Sequence, residues 1–341
     1  MTAPRLRTII LGCGNIAGGF DATRPADADP LTHAGALVRH GGFELVACVD
    51  PDLQRAQGFA ERWGVGGAHG TAEALAGLRG GVDVVVVASP TDLHEEHVGL
   101  AIDLGARAVF CEKPIAPTLP AATRMVEACA RAGVLMAVNH TRRWAPDVVE
   151  LARDLRAGRH GPVRSAYGLY NKGVLNNGSH MVDLAAFLLG DLTLAWAGSA
   201  VADHWPDDPT IPFTLVAEGG VPVQVGVGYA ADTALFELQI VAAEAVIAME
   251  AGGARWRVRR PIDNPDFRGY KSLAVGEPVD GTYRLAMAAA VENLHAAVIE
   301  GRALASTGRT ALAAQALCEA IRSASGADTA SLAASRRNGL S

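Results

Sequence analysis

The sequence lacks the raw material for several classes of protein. Its five cysteines, Cys13, Cys48, Cys111, Cys129 and Cys318, are odd in number and widely scattered, with no C-x-x-C pair. That usage fits neither a disulfide framework nor a zinc site and predicts a reducing, cytoplasmic home. No run approaches the roughly 18 apolar residues of a membrane span. The opening "MTAPRLRTIILGCGN" passes from a short apolar run straight into glycines, without the pattern of an export signal. A basic footprint for nucleic acid is also missing: the formal charge is −6, and the arginines cluster only as pairs, Arg142 with Arg143, Arg259 with Arg260 and Arg336 with Arg337. There is no internal repeat and no G-x-S-x-G nucleophile elbow. A small-molecule partner is the class left standing.

What the chain does have is apolar content, 50% against 19% charged over 341 residues. That is enough to bury a large core, and the length suggests two domains. Up to about residue 140, short β-branched runs alternate with helical patterns: "LRTIILG", "FELVACVD", "VDVVVVAS", "ARAVFCE" and "VLMAVNH" read as strands, with "PDLQRAQGFAERWG" and "HEEHVGLAIDLGA" among the helices between them. The unbroken apolar run in "VDVVVVAS" predicts a strand covered on both faces, hence a Rossmann-type, doubly wound parallel sheet. Beyond "NHTRRWAPDVVELARDLRAG", segments such as "PVRSAYGLYNK", "FTLVAEGG", "VPVQVGVGYA", "ALFELQIVAAEAVIAME" and "RWRVRR" predict a large, mostly antiparallel sheet. Helical pattern returns at "YRLAMAAAVENLHAAVIEG" and "TALAAQALCEAIRSASG". The expected division is a dinucleotide-binding domain over 1–143, an α+β substrate-binding and oligomerisation domain over 144–330, and a frayed tail over 331–341.

"TIILGCGNIAGGF" places Gly12, Gly14 and Ala17 directly after a predicted strand, in the G-x-G-x-x-G/A pattern of a dinucleotide site. Gly12 permits the tight turn and Gly14 admits a pyrophosphate to the backbone. Ala17 lets a following helix pack closely, so that its N-terminal N–H groups are expected to meet the phosphates. Asp50, ending the second strand, suits the adenosine ribose hydroxyls and disfavours a 2′-phosphate, which predicts NAD rather than NADP. Its other reading is a cap for the next helix. The spacing from Gly14 to Asp50 exceeds the roughly 20 residues of the fingerprint, an excess explained if "DATRPADADPLTHAG" loops out. Arg55 is close enough in sequence to reach a phosphate.

The motifs "GCGNIAGG", "SPTDLH", "CEKPIA", "NHTRRW", "NNGSHMVDLAAFLLG" and "EAIRSAS" follow one another across nearly the whole chain. In that set and order the sequence resembles the Gfo/Idh/MocA family of nicotinamide-dependent sugar and cyclitol oxidoreductases. "EKP" with a downstream H-x-x-D is far more specific than the glycine triplet. The resemblance implies that Lys113 lies beside the nicotinamide and that His180 is the acid–base histidine. It also implies cofactor contacts from Gly12, Gly14, Asn15, Ile16, Asp50, Ser89, Pro90, His94, Glu112 and Lys113. Chemistry supports the pair, because oxidising a secondary alcohol needs one group to accept the hydroxyl proton and another to stabilise the developing charge on oxygen. Pro114 biases Lys113 away from helix, toward an extended strand end. Without the family, Lys113 reads as a surface lysine and His180 as a polar residue at a helix start.

One position departs from the family pattern. Many members carry an aspartate four residues before the histidine, where this chain has Asn176. An amide binds a substrate hydroxyl or carbonyl but holds no imidazolium by charge. Asp183 either supplies the missing carboxylate or is structural. Substrate contacts are expected from Lys113, Arg143, Lys172, Asn176 and His180, with a solvated or interdomain ion pair the other reading for Arg142 and Arg143. "HEEH" at 94–97 lacks the H-E-x-x-H spacing, and no metal is expected. The function so implied is hydride transfer between NAD and a secondary alcohol or ketone of a sugar, amino sugar or cyclitol. Its rivals are a redox-neutral lyase that keeps its NAD and a non-enzymatic, NAD-gated regulator. The resemblance further implies a homodimer or homotetramer.

Overall fold

The computed structural model describes residues 5–25 and 27–326; the expected tail over 331–341 lies outside the described residues. Two compact units are present. Of the described residues, the first takes in those up to Trp144 and then Arg284–Leu312, the second Ala145–Tyr283 and 313–326.

In the first unit, β1 (Leu6–Leu11), β2 (Phe43–Val49), β3 (Ala68–His69), β4 (Val84–Val87), β5 (Ala108–Cys111) and β6 (Leu135–Val138) form a six-stranded sheet in the order β3-β2-β1-β4-β5-β6. Every pairing is parallel. The order reverses between β1 and β4, the point where doubly wound sheets bind ligands. Successive strand residues enter opposite cores, as the period of two requires. Ile9, Val85, Val87 and Val109 pack with Met125 on one side. Ile10, Val84, Val86 and Phe110 pack with Leu37 and Leu294 on the other. Each large side chain so buried contributes about 1.5–3 kcal/mol. The five strands read from the sequence are all here; β3, two residues long, is too short to carry a periodic signal.

The helix expected directly behind the glycine-rich turn does not form there. After one tight turn at Gly19–Asp21 the chain makes an excursion, and α1 (His33–His40) begins only behind its cap, Thr32. Asp21 holds the excursion shut: its buried carboxylate accepts from the N–H groups of Leu31 and Thr32, both 2.9 Å, and from Thr32 Oγ, 2.7 Å. The insertion thus loops out as its spacing implied, except that its last residues, His33 to Gly35, are the first turn of α1. Next come α2 (Leu53–Trp63), α3 (His94–Asp103) and α4 (Leu119–Ala132). α7 (Ala286–Glu300) rejoins this unit and buries Met287, Val291 and Leu294 in the Leu37 layer.

The second unit contains α5 (Pro146–Arg156), β7 (Val163–Tyr170), α6 (Ser179–Leu189), β8 (Leu192–Ala197), β9 (Phe213–Ala217), β10 (Val221–Val227), β11 (Phe236–Ala242), β12 (Val246–Glu250), β13 (Arg255–Arg259) and β16 (Pro278–Asp280). The strands form one eight-stranded sheet, β16-β13-β12-β11-β7-β10-β9-β8. All pairings are antiparallel except β7 with β10. Burial alternates along β11, with Phe236, Leu238 and Ile240 inward. β7 lies in the middle, and α6 closes on it because Gly168 has no side chain: a Cβ there would lie 2.9 Å from Met181 Sδ. A separate hairpin, β14 (Pro261–Asp263) with β15 (Lys271–Leu273), completes the set.

Candidate active site

The glycine-rich loop leaves β1 at the switch point. Gly12 has φ +91°, and a Cβ there would come within 2.6 Å of the Ala88 carbonyl at the end of β4, so the protein itself requires this glycine. Gly14 is different: a Cβ would meet nothing within 4 Å. Packing does not require glycine at 14, and the bare backbone there suits close approach by a ligand. The N–H groups of Gly14, Asn15, Ile16 and Ala17 make no hydrogen bond among the described residues, whereas Cys13 N–H donates to Asp50 Oδ2 at 3.0 Å. Neighbouring unpaired N–H groups of this kind are an anion-binding nest, and a dinucleotide pyrophosphate fits them.

The end of α1 is not part of that nest. His33 N–H donates to the Ile16 carbonyl (3.2 Å), Ala34 N–H to the Ala17 carbonyl (2.8 Å) and Gly35 N–H to Thr32 Oγ (3.2 Å). The first N–H groups of α1 are therefore already taken, contrary to the expectation that they are open to a phosphate, and the open N–H groups are those of the loop itself. The cause is the insertion, which moves the helix start and lets the loop carbonyls cap it.

Asp50 is buried at the end of β2. Besides Cys13 it accepts from Asp52 N–H at 2.9 Å and from the Arg55 guanidinium at 3.2 Å. It does not cap α2, since that role falls to Asp52, which accepts from Arg55 N–H. The Arg55 guanidinium also reaches the second oxygen, Oδ2, at 3.4 Å, so Asp50 anchors the glycine loop with both oxygens engaged, and the half-exposed Arg55 is the partner that a ligand hydroxyl would displace. Arg55, half exposed, bridges Asp50 and Asp52.

At the ends of β4 and β5 the remaining residues of the first unit come together. His94 is buried, with Nε2 3.0 Å from Ser89 O and Nδ1 3.1 Å from Ile115 O and 3.5 Å from Cys111 Sγ, so that one ring nitrogen can donate to a carbonyl while Nδ1 has a thiol donor beside it. It thereby fastens the loop after β4 to the loop after β5. Ser89 Oγ is 2.8 Å from His97 Nδ1 and Pro90 is exposed. Burial holds His97 below the ordinary histidine range.

Glu112 is the organising group of the β5 loop, and nothing in the sequence tied it to its partners. Its buried Oε1 is 2.7 Å from His33 Nε2 and 2.6 Å from Asn139 Nδ2, while Oε2 accepts from Lys113 N–H at 3.3 Å. His33 is fully buried, and its Nδ1 has no partner among the described residues. Burial alone would push the Glu112 carboxyl up, but the His33 and Asn139 donors and the Lys113 charge outweigh it and hold it below the ordinary range. Lys113 follows immediately, half-buried. Arg143 is buried in the same unit, its guanidinium donating to the Ala305 carbonyl at 3.3 Å.

The second unit carries Lys172, Asn176 and His180 on one continuous stretch. Lys172 is left-handed (φ +67°), Gly173–Gly178 form a wide π-type turn, and α6 continues from Ser179. Such turns mark functional sites in helices more often than chance. His180 is buried in the first turn of α6, 6.5 Å from Phe236 ring to ring and edge-on. Asn176 Nδ2 donates to the Lys172 carbonyl at 3.1 Å. Asp183 is buried farther along α6, where its charge is felt by Cys318. Lys113 thus belongs to the first unit and His180 to the second.

The first unit has the strand order of a Rossmann fold, and the second is an α+β unit with a large mixed sheet. Residues 6–140 match the Gfo/Idh/MocA family, described as an oxidoreductase family with an NAD-binding Rossmann fold. The D-apiose dehydrogenase of Paraburkholderia graminis is 30% identical over 247 residues, covering 67% of this chain and 62% of that protein. An oxidoreductase from Agrobacterium radiobacter, solved with NAD+, L-tartaric acid and magnesium, superposes with a TM-score of 0.73 over 96% of this chain and 99% of its own at 20% identity. The 3-ketoreductase KijD10 from Actinomadura kijaniata, solved with NADP, gives 0.73 over 94% and 97% at 21% identity. These two likenesses establish the fold. The chain belongs to the Gfo/Idh/MocA family of oxidoreductases. Among the described residues no helix is long and apolar enough to cross a membrane, and no group of three or more metal-type ligands occurs.

Proposed function

We propose that the chain is an NAD-dependent dehydrogenase or reductase acting on a secondary alcohol, or the matching ketone, of a sugar, amino sugar or cyclitol. The observation that carries this reading is the β5 loop, where a buried carboxylate, Glu112, fixed by His33 and Asn139, sets Lys113 at the carboxyl edge of the sheet. Ligands of doubly wound sheets bind at that edge. The sugar named in the D-apiose dehydrogenase relative supports the substrate class.

When bound, the nicotinamide supplies the hydride acceptor. The chain supplies the rest. Gly14, Asn15, Ile16 and Ala17 hold the pyrophosphate through their N–H groups, and Asp50 takes the ribose hydroxyls, which favours NAD over NADP. The Lys113 ammonium stabilises charge on the substrate oxygen as its proton leaves, and His180 accepts that proton. Arg143, Lys172 and Asn176 supply further polar contacts to a polyol. In this reading the enzyme is cytoplasmic. It is a homodimer or homotetramer built on the outer face of the eight-stranded sheet, where Tyr167, Leu169 and Trp196 are exposed.

Anaerobic incubation of the protein with NAD and a panel of sugars, amino sugars, cyclitols and nucleotide sugars tests the reading. The expected result is growth of the NADH absorbance band with a product two mass units below one substrate. A changed substrate without net NADH would replace it with an elimination mechanism, and tight NAD binding without any turnover would replace it with a regulatory role.

A further inference from the structure

A helix that begins at a site must satisfy its first N–H groups, and the stretch carrying His180 does so with residues from far along the chain. Five consecutive N–H groups, from Lys172 to Asn176, are all bound by the segment 203–210. Lys172 donates to Asp203 Oδ2 (2.7 Å), Gly173 to Thr210 Oγ (2.9 Å) and Val174 to the Pro209 carbonyl (3.0 Å). Leu175 donates to Asp208 Oδ1 (2.9 Å) and Asn176 to Asp208 Oδ2 (2.8 Å). The last two bonds place one buried carboxylate on the turn immediately ahead of His180, one oxygen for each N–H. Two further observations support a fitted contact. A Cβ on Gly173 would lie 2.1 Å from Asp208 Oδ2, so the glycine is what allows the carboxylate so close. Asp203 also accepts from Ala230 N–H (2.7 Å) and Thr210 Oγ (2.9 Å), tying the clamp to a third loop.

The two carboxylates differ in their surroundings. Burial works against the Asp203 charge, but the N–H groups of Ala230 and Lys172 and the Thr210 hydroxyl outweigh it and hold its carboxyl below the usual range. For Asp208 burial wins: it pushes the carboxyl up to about 6 against the Leu175 and Asn176 N–H groups and the Arg322 guanidinium, with Asp207 adding to the rise. Tyr170 and Cys318 are both pushed up, chiefly by burial, with the Asp208 charge adding to the rise.

We propose that Asp208 is a positioning residue of the reaction: by holding Leu175 and Asn176 it fixes the turn from which His180 and Asn176 act. The proposal rests on the dehydrogenase reading of His180. Asp208→Asn keeps the shape but leaves one N–H facing an amide NH2. With the substrate found by the panel, kcat is expected to fall about tenfold or more, as displacement of a reacting group does, while KM for NAD stays within twofold and the variant melts as a folded protein. A folded Asp208→Asn with wild-type kcat and polyol KM would overturn the proposal. Amide hydrogen exchange at Leu175 and Asn176 in the wild-type protein is the second measurement, and it serves even if the variant does not fold or the panel finds no substrate. Strong protection of both amides is expected, and exchange at the rate of an unstructured loop would overturn the clamp itself. Protected amides in a wild-type protein without turnover on any polyol would instead sink the dehydrogenase reading, and with it any catalytic role for Asp208.

Discussion

The Glu112–Lys113 loop and the Lys172–His180 stretch are each organised by a buried carboxylate, but in opposite ways. Glu112 is contiguous with the residue it positions, and its partners, His33 and Asn139, are side chains drawn from a helix start and a strand end of the same unit. Asp208 is far in sequence from the turn it holds and binds backbone N–H groups. The outcome for charge differs too: Glu112 is stabilised as a carboxylate despite burial, whereas Asp208 is not. A side-chain cage around one residue can be written as a short motif such as "EKP". A backbone clamp needs only a carboxylate at the right height, and leaves no motif.

The comparison is broken most severely at its reacting groups. Lys113→Met should lower kcat about 10²–10³-fold, the usual cost of losing one preorganised electrostatic group, with NAD affinity by fluorescence titration changed little. Gly173→Ala attacks the clamp through its closest approach. The combination of φ +87° and a Cβ 2.1 Å from Asp208 should cost about 1–3 kcal/mol or more in urea unfolding. Glu112→Gln can keep an oxygen for His33 and Asn139 but then turns an amide NH2 toward the Lys113 N–H, and should cost about 1–3 kcal/mol together with a loss of kcat. The NAD choice sharpens the comparison next. Asp50→Ala should cut the ratio of kcat/KM for NAD over NADP by about tenfold, the worth of about 1.4 kcal/mol, and loosen the Cys13 turn as well.

The smallest effect is in the pH dependence of stability, where the two carboxylates should act with opposite sign. The Glu112 carboxyl lies lower in the folded than in the unfolded chain. Its contribution is present above the ordinary carboxylate range and is lost as pH falls through its folded value. Asp208, raised to about 6, contributes below the ordinary range and loses that contribution as pH rises through about 6. Urea unfolding of Asp208→Asn against wild type between pH 4 and pH 7 should therefore show a gap that narrows or reverses as pH rises. A gap constant with pH would mean that Asp208 does not titrate in this window.

Much of this was legible in the sequence, and the exceptions share a cause. β1, β2, β4, β5 and β6 were readable because buried parallel strands are apolar on successive residues, and Gly12 because a strand-to-loop turn demands it. The start of α1 was not, because the fingerprint gives no hint that an Asp21-clipped excursion separates the glycines from their helix. β11 and β12 read as one run, since their hairpin turn, Ala243–Ala245, has no glycine or proline. Lys113 and His180 stood out through the family resemblance of their motifs, while His33, Asn139, Asp203 and Asp208 did not stand out at all. Their meaning lies in long-range contacts that local pattern does not encode.

The central claim is that the turn held by Asp208 presents an acid–base histidine to an alcohol. The most direct measurement is kcat/KM against pH for wild type and His180→Asn, with the substrate identified by the panel. The account predicts a loss of about 10²–10⁴-fold and disappearance of the acid limb seen in the wild type. A variant within tenfold of wild type, with the acid limb intact, would contradict it.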